Sequence, residues 1–159
     1  MRTLVLGLGN VLLQDEGVGV HVVERLRAEY AFPDDVIVLD GGTLGLDLLG
    51  RVEDSDRVVV VDAVKAGKTP GDLVRLVNAE IPAFLGPKVS PHQIGLQDLL
   101  GLAQLRGQMP REIVLWGVQA ERFEPGLELS APVAAQVGVL AKHIVEELAR
   151  WGIPATRRN

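Results

Sequence analysis

Three side chains in this sequence are of types that bind divalent transition metals, and each stands at a junction between predicted elements: Glu16, Asp62 and His92. Glu16 closes the run Gly7-Leu8-Gly9-Asn10-Val11-Leu12-Leu13-Gln14-Asp15-Glu16, Asp62 follows Val58-Val59-Val60-Val61, and His92 lies in Ser90-Pro91-His92-Gln93. Two carboxylates and one imidazole form a mixed oxygen and nitrogen donor set that suits such a metal and leaves positions open for a further ligand. The set has meaning only if the fold gathers the three junctions, and α/β proteins gather such junctions along the edge where parallel strands end.

Each residue also has an ordinary reading. Asp15 as a helix N-cap with Glu16 in the first turn complements a helix dipole. Asp62, and Asp40 ahead of Gly41-Gly42, suit turns after strands. Ser90-Pro91-His92-Gln93 reads as a capping box, with Ser90 the N-cap, Pro91 at N1 and Gln93 at N3. That box leaves His92 without a role. Near the positive end of a helix an imidazole is disfavoured as a cation, which suits a ligand that binds metal as a neutral base. His21 and His143 fall inside predicted helices and read as solvated.

The elements that must position these groups follow from periodicity. Arg2 to Leu8 predicts a strand, and Glu16 to Tyr30 a helix with Val18, Val22, Val23 and Leu26 on one face. Val36 to Leu39 predicts a second strand, Asp40 to Thr43 a turn, and Leu44 to Val52 a short helix. Arg57 to Val61, whose Val58 to Val61 is continuously apolar and β-branched, predicts a central strand covered on both faces. Asp72 to Val77 predicts a neighbouring strand, for which antiparallel pairing is one option. Ile81 to Val89 is rich in proline and glycine, Ile94 to Leu105 has helical leucine spacing, and Glu112 to Val118 is a further buried strand. One helix opens at Ser130, carries Val133, Val137, Leu140, Ile144 and Leu148 along a stripe, and stops near Gly152. The expectation is a three-layer α/β sandwich on a mostly parallel sheet, one domain over residues 1–152 with 153–159 a flexible tail. The loop after the first strand, Asp40 and Asp62 then share one sheet edge, which His92 joins from a longer loop.

Composition narrows the function classes. With 159 residues, 47% of them apolar, the chain buries a core without staples, and the absence of cysteine excludes disulfides, thiolate zinc sites and a cysteine nucleophile. A net charge of −5, with Arg157-Arg158 the only dense basic cluster, argues against nucleic acid. No apolar stretch approaches the roughly 20 residues of a membrane span, and no export signal opens the chain, so the cytoplasm is expected. Gly7-Leu8-Gly9 after a strand suggests a dinucleotide fingerprint, but the third glycine is missing and Asp15-Glu16 would repel a phosphate. The two glycines are better read as making room for a tight turn. A His-Glu-x-x-His zinc helix and a Gly-x-Ser-x-Gly elbow are both absent.

Taken in order, Gly9-Asn10-x-Leu12-x-x-Asp15-Glu16-x-x-Gly19, Asp40-Gly41-Gly42-Thr43, Val61-Asp62-Ala63, Pro70-Gly71 and Ser90-Pro91-His92-Gln93-x-Gly95-Leu96 resemble the nickel-iron hydrogenase maturation endopeptidases, most of all those processing the hydrogenase-2 large subunit. The resemblance runs from Arg2 to about Trp151. It implies a phosphorylase/hydrolase-like α/β fold and a protease that removes a C-terminal extension from the hydrogenase large-subunit precursor after nickel insertion. By position, Glu16, Asp62 and His92 would be the nickel ligands, with nickel supplied by the precursor, and Asp40, Gly41, Gly42 and Thr43 the substrate-recognition segment. Asp15 and Asp40 are candidates for a general base by neighbourhood alone. The protein is expected to act as a monomer. Two alternatives stand beside this reading: a non-catalytic nickel-binding chaperone of the precursor, and a peptidyl-tRNA hydrolase-like enzyme, whose opening Leu6-Gly7-Leu8-Gly9-Asn10 resembles but whose histidine soon after Asn10 is missing.

Overall fold

The computed structural model describes residues 1–42, 47–85 and 96–159. Its central sheet has five strands in the order β3-β1-β4-β6-β5, formed by β1 Thr3–Leu8, β3 Val36–Gly42, β4 Arg57–Val64, β5 Leu73–Val77 and β6 Glu112–Gln119. Four strands run parallel, and β5 lies antiparallel on the outer edge of β6. The helices are α1 Val18–Glu29, α2 Asp47–Glu53, α3 Glu80–Leu85, α4 Leu96–Leu105, α5 Ala131–Ala134 and α6 Val137–Arg150. Short strands β2 Tyr30–Ala31 and β7 Thr156–Arg157 pair separately.

Why the central strands carry no polar alternation is visible in the two cores. Val5, Val59 and Val61 pack with Val22 and Leu26 of α1 and Leu140, Ile144 and Leu148 of α6. Leu4, Leu6, Val58 and Val60 point the other way, against Leu48 of α2, Ile81 of α3 and Leu96, Leu99 and Leu100 of α4. A strand with helices on both faces must be apolar at odd and even positions alike. The result is the expected three-layer sandwich.

Several elements differ from expectation. The turn expected at Asp40 is instead the end of β3, where the register against β1 shifts between Gly7↔Asp40 and Leu8↔Gly42. Such a bulge needs a small residue, and a methyl on Gly41 would lie 2.7 Å from Leu6 Cδ1. The strand β4 does not stop before Asp62 but runs through it to Val64, paired throughout with β6. Helix α3 forms within the proline-rich stretch because Pro82 occupies its first turn, where no intrahelical N–H is required. The long final helix is two, parted at residues 135–136, where the Gln136 N–H bonds back three residues to Val133 O at 2.9 Å and tightens the turn.

The tail expected to be flexible is folded back. The helix α6 ends in a Schellman motif, with Gly152 at φ +77° and the N–H groups of Gly152 and Ile153 donating to Ala149 O and Leu148 O. The chain then pairs with β2, and Arg158 donates from N to Glu29 O at 2.8 Å and from Nε to Tyr30 O at 3.0 Å. Arg157 sits over the Tyr30 ring. Arg158 thus satisfies carbonyls at the end of α1 and Arg157 covers a ring, while both side chains stay exposed.

Candidate metal centre

The register places the predicted residues along one edge. Gly7 of β1 lies opposite Asp40 of β3 on one side and Val61 of β4 on the other. Asp40 and Val61 are thus two strand spacings apart, about 10 Å, with Asp62 next along β4. Between them β1 releases the loop that carries Glu16 in a 3₁₀ turn, Gln14–Gly17, packed against β4. By parity Asp62 shares a face with Val58 and Val60, the face covered by α3 and α4. His92 belongs to the connection between those helices, and it lies outside the described residues, as do Thr43 and the expected capping box. Among the described residues no group of three metal-binding side chains converges; of the predicted three, Glu16 and Asp62 are described.

Glycines set the height of the Glu16 turn. Gly9 has φ +116°, and a methyl there would lie 1.6 Å from the Glu16 carbonyl oxygen. One on Gly19 would lie 2.3 Å from Val61 O and 2.5 Å from Leu8 O. The turn and the first residues of α1 are therefore seated directly on the strand ends, which bears out the reading of Gly7 and Gly9 as room for a tight turn.

Asp15 does not cap α1, whose N-cap is Gly17. Its side chain is fully buried, and its carboxylate is occupied by the segment that follows β6. Oδ2 accepts hydrogen bonds from the N–H groups of Glu121 (2.8 Å) and Arg122 (2.9 Å) and from the Ser130 hydroxyl (2.7 Å). Oδ1 accepts from the Ser130 N–H at 2.7 Å. Burial alone would push this carboxyl up, but the N–H groups of Arg122, Ser130 and Glu121 and the Ser130 hydroxyl outweigh it and hold the carboxyl below its ordinary value. A buried carboxylate that already accepts four hydrogen bonds is a poor general base, so of the two neighbourhood candidates Asp15 is better read as structural. Its neighbour differs. Among the described residues the Glu16 carboxylate has no hydrogen-bond or ion-pair partner, while Asp62 Oδ1 accepts from the Ala63 N–H at 2.8 Å.

Residues 121–130 carried no site signal in the sequence, because Ser130 reads locally as a helix start. It is indeed the N-cap of α5, yet it makes no side-chain capping bond and gives its hydroxyl to Asp15. Elsewhere on this edge Gln119 Oε1 accepts from the N–H groups of Ala66 (2.7 Å) and Lys68 (3.2 Å), holding the loop after β4. Lys65 of that loop lies over the Phe123 ring at 4.4 Å. The other two histidines are less solvated than expected: His143 stacks on Trp116 at 4.3 Å, and His21 Nε2 is buried without a partner.

These features define an open, mostly parallel α/β sheet whose carboxylates, Glu16 on a loop and Asp40 and Asp62 on strands, share the edge where the parallel strands end. Residues 20–147 match the family model described as hydrogenase maturation protease. The chain is 40% identical to the hydrogenase 2 maturation protease of Escherichia coli, over 100% of this chain and 98% of that protein. It is 46% identical to the hydrogenase expression/formation protein HupD of Rhodobacter capsulatus, over 98% of this chain and 75% of that one. The solved structure of the E. coli hydrogenase maturating endopeptidase HybD superposes with a TM-score of 0.93 at 40% identity, covering 99% and 98% of the two chains. The [NiFe] hydrogenase maturation protease HybD of Thermococcus kodakarensis gives 0.73 at 33% identity, covering 94% and 99%. The chain belongs to the hydrogenase maturation protease family. It is a protease, and the peptidyl-tRNA hydrolase alternative gives way.

Proposed function

We propose that this chain is an endopeptidase that removes a C-terminal extension from the precursor of a nickel-iron hydrogenase large subunit once nickel has been inserted. The observation that carries the reading is full-length similarity to a hydrogenase 2 maturation protease, joined to a half-buried Glu16 at the carboxyl ends of the strands whose carboxylate has no partner among the described residues. Glu16, Asp62 and His92 are the residues we assign to the nickel, which arrives with the precursor as part of the substrate. Their carboxylate and imidazole donors fit a divalent ion of this kind. Nickel so held can polarise a carbonyl or activate water. Asp40, at the end of β3, with Gly41, Gly42 and Thr43, is assigned to recognition of the precursor. We place the protein in the cytoplasm as a monomer; among the described residues no helix is long and apolar enough to cross a membrane.

The test is intact mass of a purified large-subunit precursor, nickel-loaded and nickel-free, before and after incubation with this protein. Loss of a C-terminal fragment from the nickel-loaded form alone is expected, and Glu16→Gln or His92→Leu should abolish it in folded protein. Complex formation with unchanged precursor mass would support the chaperone alternative instead.

A further inference from the structure

We propose that Asp15 and Ser130 are positioning residues: together they clamp the Gln14–Gly17 turn to the segment after β6 and so fix where Glu16 presents its carboxylate. The inference rests on the nickel-ligand reading of Glu16.

The clamp has two parts. Three backbone bonds tie the turn and the residues before it to the far segment: Gln14 N–H to Gly126 O at 3.0 Å, Asp15 N–H to Arg122 O at 3.1 Å, and Gly126 N–H to Leu12 O at 2.9 Å. The Asp15 carboxylate adds its four bonds to Glu121, Arg122 and Ser130. These partners lie up to 115 residues away along the chain. Local helix formation therefore does not account for them. On the opposite side Gly9 abuts the Glu16 carbonyl, so the Glu16 backbone is bounded by the strand end below and by the clamp beside it. Gln14 pays a local strain at φ +50°, a region unfavourable for a residue with a side chain. The same turn thus carries one carboxylate that accepts four hydrogen bonds and, at the next residue, one with no partner among the described residues. That division is what a site requires when a ligand must be held in place before the substrate arrives, since a displacement of about 1 Å can cost on the order of a hundredfold in rate.

The experiment compares Ser130→Ala, Ser130→Thr, Asp15→Asn, Glu16→Gln and Glu147→Gln in the full chain, using nickel-loaded precursor for kcat and KM and nickel-free precursor for Kd. Thermal melts set a temperature at which each variant is folded. Ser130→Ala is expected to lower kcat about tenfold while leaving Kd for nickel-free precursor unchanged, and Ser130→Thr, which keeps the hydroxyl, should restore it. Glu147→Gln, which destabilises the fold at a distance, should leave kcat alone. Should Asp15→Asn fail to fold, Ser130→Ala decides. Wild-type kcat in Ser130→Ala together with loss in Glu16→Gln overturns the positioning role alone. Wild-type kcat in Glu16→Gln overturns the ligand reading beneath it.

Discussion

Asp15 and Glu147 are carboxylates withdrawn almost completely from water, at 0% and 2% exposure, and each is stabilised by a different kind of partner. Around Asp15 every donor is neutral, three peptide N–H groups and one hydroxyl. Around Glu147 two of the three partners are charged: Arg75 of the edge strand β5 forks onto both oxygens and Arg150 reaches Oε1 at 3.2 Å, while the neutral Trp116 indole N–H donates at 3.3 Å. Burial pushes the Glu147 carboxyl up, and the Arg75 hydrogen bond and charge, then Arg150 and Trp116, pull it below its ordinary value. The difference is one of purpose. Peptide donors have fixed directions, so Asp15 sets the relative placement of two loops at the strands' carboxyl ends. Guanidinium groups on long side chains adapt, so Glu147 fastens a helix to an edge strand without dictating backbone geometry.

Substitutions can break this contrast. Asp15→Ala strands four donors around a fully buried position, and a loss of about 3–5 kcal/mol in urea unfolding is expected together with loss of processing. Gly9→Ala attacks the same turn without touching a charge. Its methyl cannot fit against Glu16 O at φ +116°, and about 2–4 kcal/mol should be lost by the same measurement, again with processing impaired. Glu147→Gln should cost less, about 1–2 kcal/mol, because Arg75 is 38% exposed and can be rehydrated, and it should leave kcat unchanged. A cost above that of Asp15→Ala would reverse the ranking.

Acid sharpens the comparison further. The folded Glu147 carboxyl lies below its ordinary value of 4.5, so its stabilisation is fully present above that pH and is lost as pH falls through the folded value. The stability gap between the wild type and Glu147→Gln, read from urea titrations, should therefore close on acidification. The smallest effect expected is from salt. Raising NaCl to about 1 M should narrow the same gap by a few tenths of a kcal/mol, since the pair is partly open to solvent, while the neutral Asp15 network responds less.

Much of the scaffold was legible because it depends on local pattern. The valine run at 58–61 and the run at 112–118 predict buried strands, and the order of elements places Asp40 and Asp62 at one sheet edge. Gly9 was legible as a turn glycine from its place after a strand. What the pattern concealed lies in long-range partners. Asp15 looks like a cap because capping is the nearest use for an aspartate before a helix, whereas its true donors follow β6. Ser130 is read rightly as a helix start, but the partner of its hydroxyl, Asp15, lies too far along the chain to be seen. The break at 135–136 does not disturb the apolar stripe, so periodicity cannot reveal it. Arg158 reads as solvated until the carbonyls of Arg27, Glu29 and Tyr30 are placed beside it, and Arg157 until the Tyr30 ring is.

The pairing of β7 with β2 also decides which way the molecule can be held. Because α1 runs from the carboxyl ends of the strands to their amino ends, Tyr30 and its partner Arg157 lie at the pole opposite Asp40 and Asp62. A surface tether or reporter joined at Asn159 would face away from the strand ends that carry Asp40 and Asp62, leaving that edge unobstructed.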